Sequence, residues 1–307
     1  MRILVAGATG VVGHPLVGAL RARGHQVSAL VREESRDRAP EADAIVVADA
    51  LDREALLAAV SEVRPEVVVH QMTALRLMMA NPPEAFAQTA RLRTEGTANL
   101  VAAARAAGAR RLVAQSIAFA AAPTADTVVD ENVPLYVDAP DPGWAATVQA
   151  VAALEAQVLG AAPELSGVVL RYGTLYGPGT TYARAALGQQ ILAGQIPLPG
   201  DGAGVTSFLH VEDAVGAAVA AVESEATGTF HITDDEPAPA AQWLTHYAGL
   251  LDAPAPRTIP VEMALRMFGW FMTHQLTAAA GASNSRARTE LGWKPLRPSW
   301  RDGLGEE

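Results

Sequence analysis

Three short stretches carry residues that can do chemistry. GATGVVG (7–13) sets Gly7, Gly10 and Gly13 at GxxGxxG spacing, directly after an apolar run and in front of a helical pattern. Bare glycines permit a tight turn and close approach of the backbone. A helix N-terminus then offers free N–H groups and a positive dipole end, which suit a pyrophosphate. VAQSIAF (113–119) puts Ser116 at the end of another apolar run, and LRYGTLYG (170–177) does the same for Tyr172. Between them WAATVQAVAALE (144–155) contains no acid, base or phenol from Trp144 to Leu154.

The elements that must position these residues follow from periodicity. Short apolar runs at 2–7, 25–32, 43–49, 66–72, 111–116, 166–177 and 228–233 read as buried parallel strands. Helical spacing at 14–24, 52–65, 94–109 and 147–162 alternates with them. That alternation predicts right-handed crossovers and an α/β fold, a doubly wound parallel Rossmann sheet with a smaller C-terminal substrate region. Residues 1–177 and 207–233 are expected to bind the cofactor, and 178–206 with 234–307 the substrate.

The end of the second strand selects the cofactor. NAD sites place Asp or Glu there. Here the strand ends in Arg32, followed by Arg36 and Arg38, and guanidinium forks match the oxygens of a 2′-phosphate. The expectation is therefore NADPH (NADP), although Glu33, Glu34 and Asp37 are interleaved and also permit a solvated loop of mixed charge. Asp49 is placed either to reach the adenine amine or to cap the following helix. The expected cofactor contacts are Gly7, Thr9, Gly10, Val11, Val12, Gly13, Arg32, Arg36, Asp49, Ala50, Gln71, Met72 and Thr73.

Composition bounds the rest. Half of the 307 residues are hydrophobic and the net charge is −10, which argues against a nucleic-acid surface. There are no cysteines, and the seven histidines show no ligand spacing, so no disulfide and no metal site is expected. The strand pattern from Arg2 predicts no signal peptide. MALRMFGWFMTH (263–274) is broken by Arg266 and is too short to span a bilayer. The expectation is a cytoplasmic protein, monomer or homodimer, whose partner is a small molecule rather than nucleic acid or membrane.

With these segments read, the chain resembles the extended short-chain dehydrogenase/reductases of the epimerase/dehydratase group over nearly its whole length. GATGVVG is similar to the group's glycine motif, VVVHQMTA (67–74) to its fourth-strand motif, and EGTANLVAAA (95–104) to its GTxNLLxAA helix. LRYGTLYGPG (170–179), FLHVEDA (208–214) and ELGWKPLRPSWRDGL (290–304) resemble its later segments. The resemblance implies proton transfer by a Ser or Thr after the fifth strand and a Tyr-x-x-x-Lys on the next helix. Ser116 sits at the serine position. The tyrosine position falls on Thr147, and the lysine position on Val151 or Val148. Lys294 is the single lysine of the chain, so no such pair exists. Thr206 replaces the arginine that binds the phosphate of nucleotide sugars, which disfavours a sugar epimerase or dehydratase. Tyr172 stands where the group has proline, either near the nicotinamide or packed in the core.

The expected catalytic residues are thus Ser116, as an oxyanion donor, and Tyr172. Apolar Leu75, Met78, Met79, Met267 and Phe271, with Thr147, predict a pocket for a bulky aromatic substrate, because methionine adapts to irregular apolar shapes. Core packing is the alternative for most of them. Some antibiotic-pathway reductases of the group also lack Tyr and Lys. The resemblance therefore implies an NADPH-dependent ketoreductase acting on an angucyclinone-like polyketide, and a non-catalytic NADP-binding sensor is the other reading.

Overall fold

The computed structural model describes residues 1–75 and 80–306. At its centre seven strands form one parallel sheet: β1 (Arg2–Ala6), β2 (Gln26–Val31), β3 (Ala44–Val47), β4 (Val67–His70), β5 (Arg111–Ile117), β6 (Ser166–Tyr172) and β7 (Gly228–Ile232). Across the sheet they run β7-β6-β5-β4-β1-β2-β3. The order reverses between β1 and β4, and ligands of doubly wound sheets bind at the carboxyl ends beside such a reversal.

Alternation along the strands explains the two packed faces. Ile3 and Val5 join one apolar cluster, which α1 (Gly13–Ala22) enters through Leu16, Val17 and Leu20. Leu4 and Ala6 join the other. It is covered by Leu56 and Val60 of α2 (Arg53–Val63), Leu100 of α4 (Thr97–Ala106), and Leu154 and Val158 of α5 (Pro142–Leu159). Helix α3 (Pro82–Arg91) is joined to α4 by a single π turn at Leu92–Gly96. Helix α6 (Val211–Glu223) completes the first face. A further cluster around Phe208, Trp243, Tyr247 and Trp300 lies outside the sheet, as do α7 (Ala240–Leu250) and α8 (Val261–Thr277).

Helices α3, α6, α7 and α8 were not expected from the sequence, α4 is shorter than the expected 94–109 because a π turn precedes it, and two further elements differ from their expected spans. Helix α5 starts at Pro142 rather than near Thr147, because the Asp141 carboxylate accepts the Trp144 N–H at 2.7 Å and Pro142 fills the first turn. The strand expected over 166–177 breaks at Gly173. There the chain crosses so near Ser207 that a Cβ would lie 2.6 Å from the Ser207 carbonyl oxygen. Thr174–Tyr176 then leaves the main sheet to pair with Phe208–His210. No helix among the described residues is long and apolar enough to cross a membrane, and those residues hold no metal-ligand cluster.

Gly7 adopts φ +85°, and a Cβ there would lie 2.6 Å from the backbone of Gln71. Gly24 has φ +80° but faces open space. The left-handed region alone costs a non-glycine residue roughly 1–2 kcal/mol. Gly24→Ala should lower the unfolding free energy by about that much in a denaturant titration, and Gly7→Ala by clearly more. Equal losses would show that the close passage of β1 past β4 carries no weight.

Candidate active site

The glycine turn is built for backbone approach. Gly10 N donates to Gly7 O at 3.0 Å and His14 N to Gly10 O at 2.9 Å. A Cβ on Gly13 would lie 2.2 Å from Gly7 O, so α1 can pack this close to β1 only with glycine there. Val12, at the N-cap of α1, offers no side-chain oxygen, which leaves the positive end of the helix uncapped. Thr9 and Gly10 are half-buried, Val11 is exposed and Val12 is buried. This is a cradle into which a dinucleotide pyrophosphate fits.

The expected ribose side is exposed and internally paired. Arg32 contacts Glu34 at 2.9 Å and Arg36 contacts Glu33 at 3.7 Å. Asp49 accepts the Leu51 N–H through Oδ1 at 2.9 Å, whereas Asp52, not Asp49, caps α2 by accepting from Ala55. The Ala50 carbonyl accepts from Asn99 Nδ2 at 2.9 Å, which fixes this loop against α4.

At the end of β4, His70 is buried and neutral. Met72 N donates to its Nδ1, so the ring proton sits on Nε2 and points to Thr97 Oγ1, and that hydroxyl donates to Leu92 O. Burial, with the nearby Arg93 charge, holds its pKa down to about 4. Gln71 Nε2 donates to the Tyr172 hydroxyl at 3.1 Å, while Gln71 Oε1 is buried without a partner. Met72 is buried, Thr73 half-buried and Leu75 exposed. Met78 and Met79 lie outside the described residues.

The two expected catalytic residues require correction. Tyr172 is 2% exposed inside the main apolar cluster, and burial raises its pKa far above the usual phenol value. It is a core tyrosine, sealed from the crevice. Ser116 faces the opposite side of the sheet, under α5. Its one O–H donates to Glu155 Oε1 at 2.7 Å. Arg171 Nε and Nη2 clamp the same carboxylate at 2.9 and 2.7 Å. Ser116, Arg171 and His231 occupy one register row across β5, β6 and β7, and Glu155 reaches down to that row from α5. Ser116 therefore ties a buried ion pair instead of presenting a hydroxyl to substrate. Thr147 likewise gives its hydroxyl to Gly143 O at 3.0 Å, and Val151 is buried.

What the N-terminal turns of α5 do present is aromatic. Trp144 stacks on Phe271 of α8 with centroids 4.2 Å apart, and Phe119 stacks on Trp144 at 6.3 Å. Tyr136 packs near Trp270, and Trp270 stacks on His274 at 4.5 Å. Ile117, the strand-end neighbour of Ser116, packs against this group. Phe271 is thus brought together with α5, but Met267 is 52% exposed and stands apart. Trp270 belongs with Phe271 to the apolar stretch expected on the substrate side, whereas Phe119, Tyr136 and Trp144 went unrecognised as lining because they lie far from it along the chain. Arg93 and Arg171 were also missed. A buried charge is legible as a lone Arg inside an apolar strand for Arg171, but not for Arg93, which ends a polar helical run.

Residues 3–232 match the NAD dependent epimerase/dehydratase family, and the chain belongs to it. It is similar to a 3-diazoavenalumate denitrifying reductase of Streptomyces sp., 76% identical over 308 residues, covering 100% of both chains. It is also similar to a 2-alkyl-3-oxoalkanoate reductase of Stenotrophomonas maltophilia (strain K279a), 30% identical, covering 99% of this chain and 97% of that protein. Among solved structures, a human epimerase family protein with NADPH superposes with a TM-score of 0.75 at 20% identity, covering 100% of this chain and 98% of the other. The fold is thus that of nicotinamide-dependent enzymes, and two full-length relatives are reductases.

Hydrogen bonds to charged groups contribute about 1.5–3 kcal/mol each. Ser116→Ala should therefore reduce unfolding free energy by about that amount while leaving cofactor affinity unchanged. Normal stability together with lost turnover would return Ser116 to a catalytic role.

Proposed function

We propose that the protein is an NADPH-dependent reductase that removes a diazo group, as dinitrogen, from a flat aromatic substrate of a natural-product pathway. One observation carries this reading: the positions that hold the family's proton machinery offer no free donor. Ser116 is spent on Glu155, Thr147 on Gly143, and Val151 has nothing to give. Reduced nicotinamide supplies a hydride when bound. In reductive loss of nitrogen from an aryl diazonium, the incoming hydride pair becomes the new C–H bond and the C–N pair leaves with N2. The hydride charge cancels the diazonium charge, and no proton is consumed. A ketone, by contrast, must gain a proton on its oxygen, and a positioned general acid there is typically worth about 10²–10⁴-fold. Phenols and primary amines also couple with diazonium ions, so threonine and valine at the Tyr and Lys positions remove two nucleophiles that would trap the substrate.

The residues of this chain supply binding and orientation. Gly7, Thr9, Gly10, Val11, Val12 and Gly13 would hold the pyrophosphate, Asp49 and Ala50 the adenosine side, and Gln71, Met72 and Thr73 the nicotinamide side. Residues 178–206 and 234–307 would form the substrate region. Beside that region the half-buried rings of Phe119 and Phe271, stacked on buried Trp144, would form an aromatic wall for a planar cation, an attraction of about 0.5–2 kcal/mol. Names of the two reductase relatives support hydride chemistry, one of them on a diazo compound.

The decisive measurement uses diazotised 3-aminocinnamate with cofactor deuterated at the transferable position. One deuterium should appear on the ring carbon that lost nitrogen, and NADPH in D2O should leave that carbon unlabelled. Solvent deuterium on the ring would overturn hydride delivery. A second reading, reduction of a bulky aromatic ketone, is favoured by the oxoalkanoate reductase relative. Turnover of angucyclinone-like ketones without turnover of the diazonium would establish it. Binding of NADPH without oxidation by either class would indicate a sensor.

Arg32, with Arg36 beside it, is the proposed ligand of the 2′-phosphate, in competition with Glu34 and Glu33. One such contact gives at least roughly tenfold preference. NADPH should bind that much tighter than NADH, and Arg32→Ala should level the two dissociation constants. Equal affinities in the parent protein would refute the assignment.

A further inference from the structure

Three buried charged side chains lie towards the carboxyl ends of the central strands. Glu155 and Arg171 close on each other in a two-pronged pair that Ser116 completes. The third, Arg93, has its acceptors unaccounted for. It is 8% exposed, yet its guanidinium makes no hydrogen bond or ion pair with any described residue. Burial lowers its pKa to about 10, and the charge of Glu155 only partly offsets this. The turn that carries it packs on α5, where Gln157 Nε2 donates to Thr94 O, and His70 at the end of β4 points its Nε2 to Thr97 at the close of the same turn, so Arg93 sits between α5 and the strand ends where such sheets take ligands. His70 is neutral by its hydrogen bonds, so the cluster holds two guanidinium charges against one carboxylate. A buried charge of this kind is costly unless paired.

The backbone around Arg93 is unusual as well. The residue lies in the π turn between α3 and α4, held by Thr97 Oγ1 donating to Leu92 O and by Gln157 Nε2 donating to Thr94 O. Single π turns inside helices are frequent at functional sites. Here the extra residue turns one side chain of an otherwise amphipathic helix inward.

We propose that Arg93 is the specificity residue for an anionic substrate, its guanidinium fork receiving a carboxylate of the aromatic compound while the ring lies against the Trp144 cluster. Guanidinium and carboxylate match in a planar, two-bond geometry. Both reductase relatives carry substrate names ending in a carboxylate. The aromatic part of this assignment rests on the proposed function, whereas the anion part does not.

The test is binding, not turnover, so it stands apart from the fate of the diazo reading. Protein saturated with NADP+ is titrated calorimetrically with cinnamate and with cinnamide, near-isosteric probes of which only the first carries a charge and a two-oxygen acceptor. Cinnamate should bind at least about tenfold tighter. Arg93→Met should abolish that preference and Arg93→Lys should restore part of it, with NADP+ affinity unchanged in both. An equal affinity for the two probes in the parent protein, a preference that survives Arg93→Met, or an equal weakening of both probes would each overturn the assignment. If Arg93→Met does not fold, the parent comparison and Arg93→Lys decide it.

Discussion

The ion pair between Glu155 and Arg171 is the constraint on which the site is arranged. It joins the long helix α5 to the middle of the sheet, where register sets Ser116, Arg171 and His231 side by side. Removing one partner of a buried pair costs about 3–5 kcal/mol, since the other is left uncompensated. Because the pair fixes α5, it also fixes Trp144 and the aromatic group at the entrance to that helix. The helix carries no acid or base from Trp144 to Leu154, and Glu155 anchors it. Its task in this molecule is geometric.

The same pair decides what the site cannot do. A serine hydroxyl has a single proton to donate. Once Glu155 takes it, the strand end presents Ile117 and aromatic rings, while the Tyr172 hydroxyl is sealed and the His70 imidazole is neutral and committed. Binding and orientation alone still supply a large share of a hydride-transfer barrier. They suffice when the leaving group departs with its own electron pair, and they fall short when an oxyanion must be quenched.

The sheet was legible in the sequence because parallel strands are buried on both faces and so write themselves as unbroken apolar runs. All seven runs became strands, and the glycine turn follows the first of them as its spacing required. The site was legible only where chemistry is local. Glycines, caps and strand ends act through neighbours in the chain. Ser116 misled because a strand-end serine looks the same whether its side chain faces substrate or a helix. A one-residue step between Ser116 and Ile117 inverts the answer, and that step is set by pleat and register rather than composition. The partner that claims Ser116 lies 39 residues away on α5, a contact that no periodicity encodes.

Arg93 shows the other limit. From the sequence a helix is expected only from residue 94 on, and ideal 3.6-residue periodicity gives no hint of an inserted residue. The π turn appears only once the helix must satisfy two demands, α3 against α5 on one side and α4 against α2 on the other. An insertion of this kind leaves both packed faces intact and rotates one side chain out of line with them. The fold thereby gains a buried guanidinium at the strand ends without changing either helix. Helix α5 offers no acid or base from Trp144 to Leu154, whereas the Arg93 charge is set in place by backbone geometry. Both features concern placement: one fixes a helix without proton chemistry, and the other sets a charge beside it.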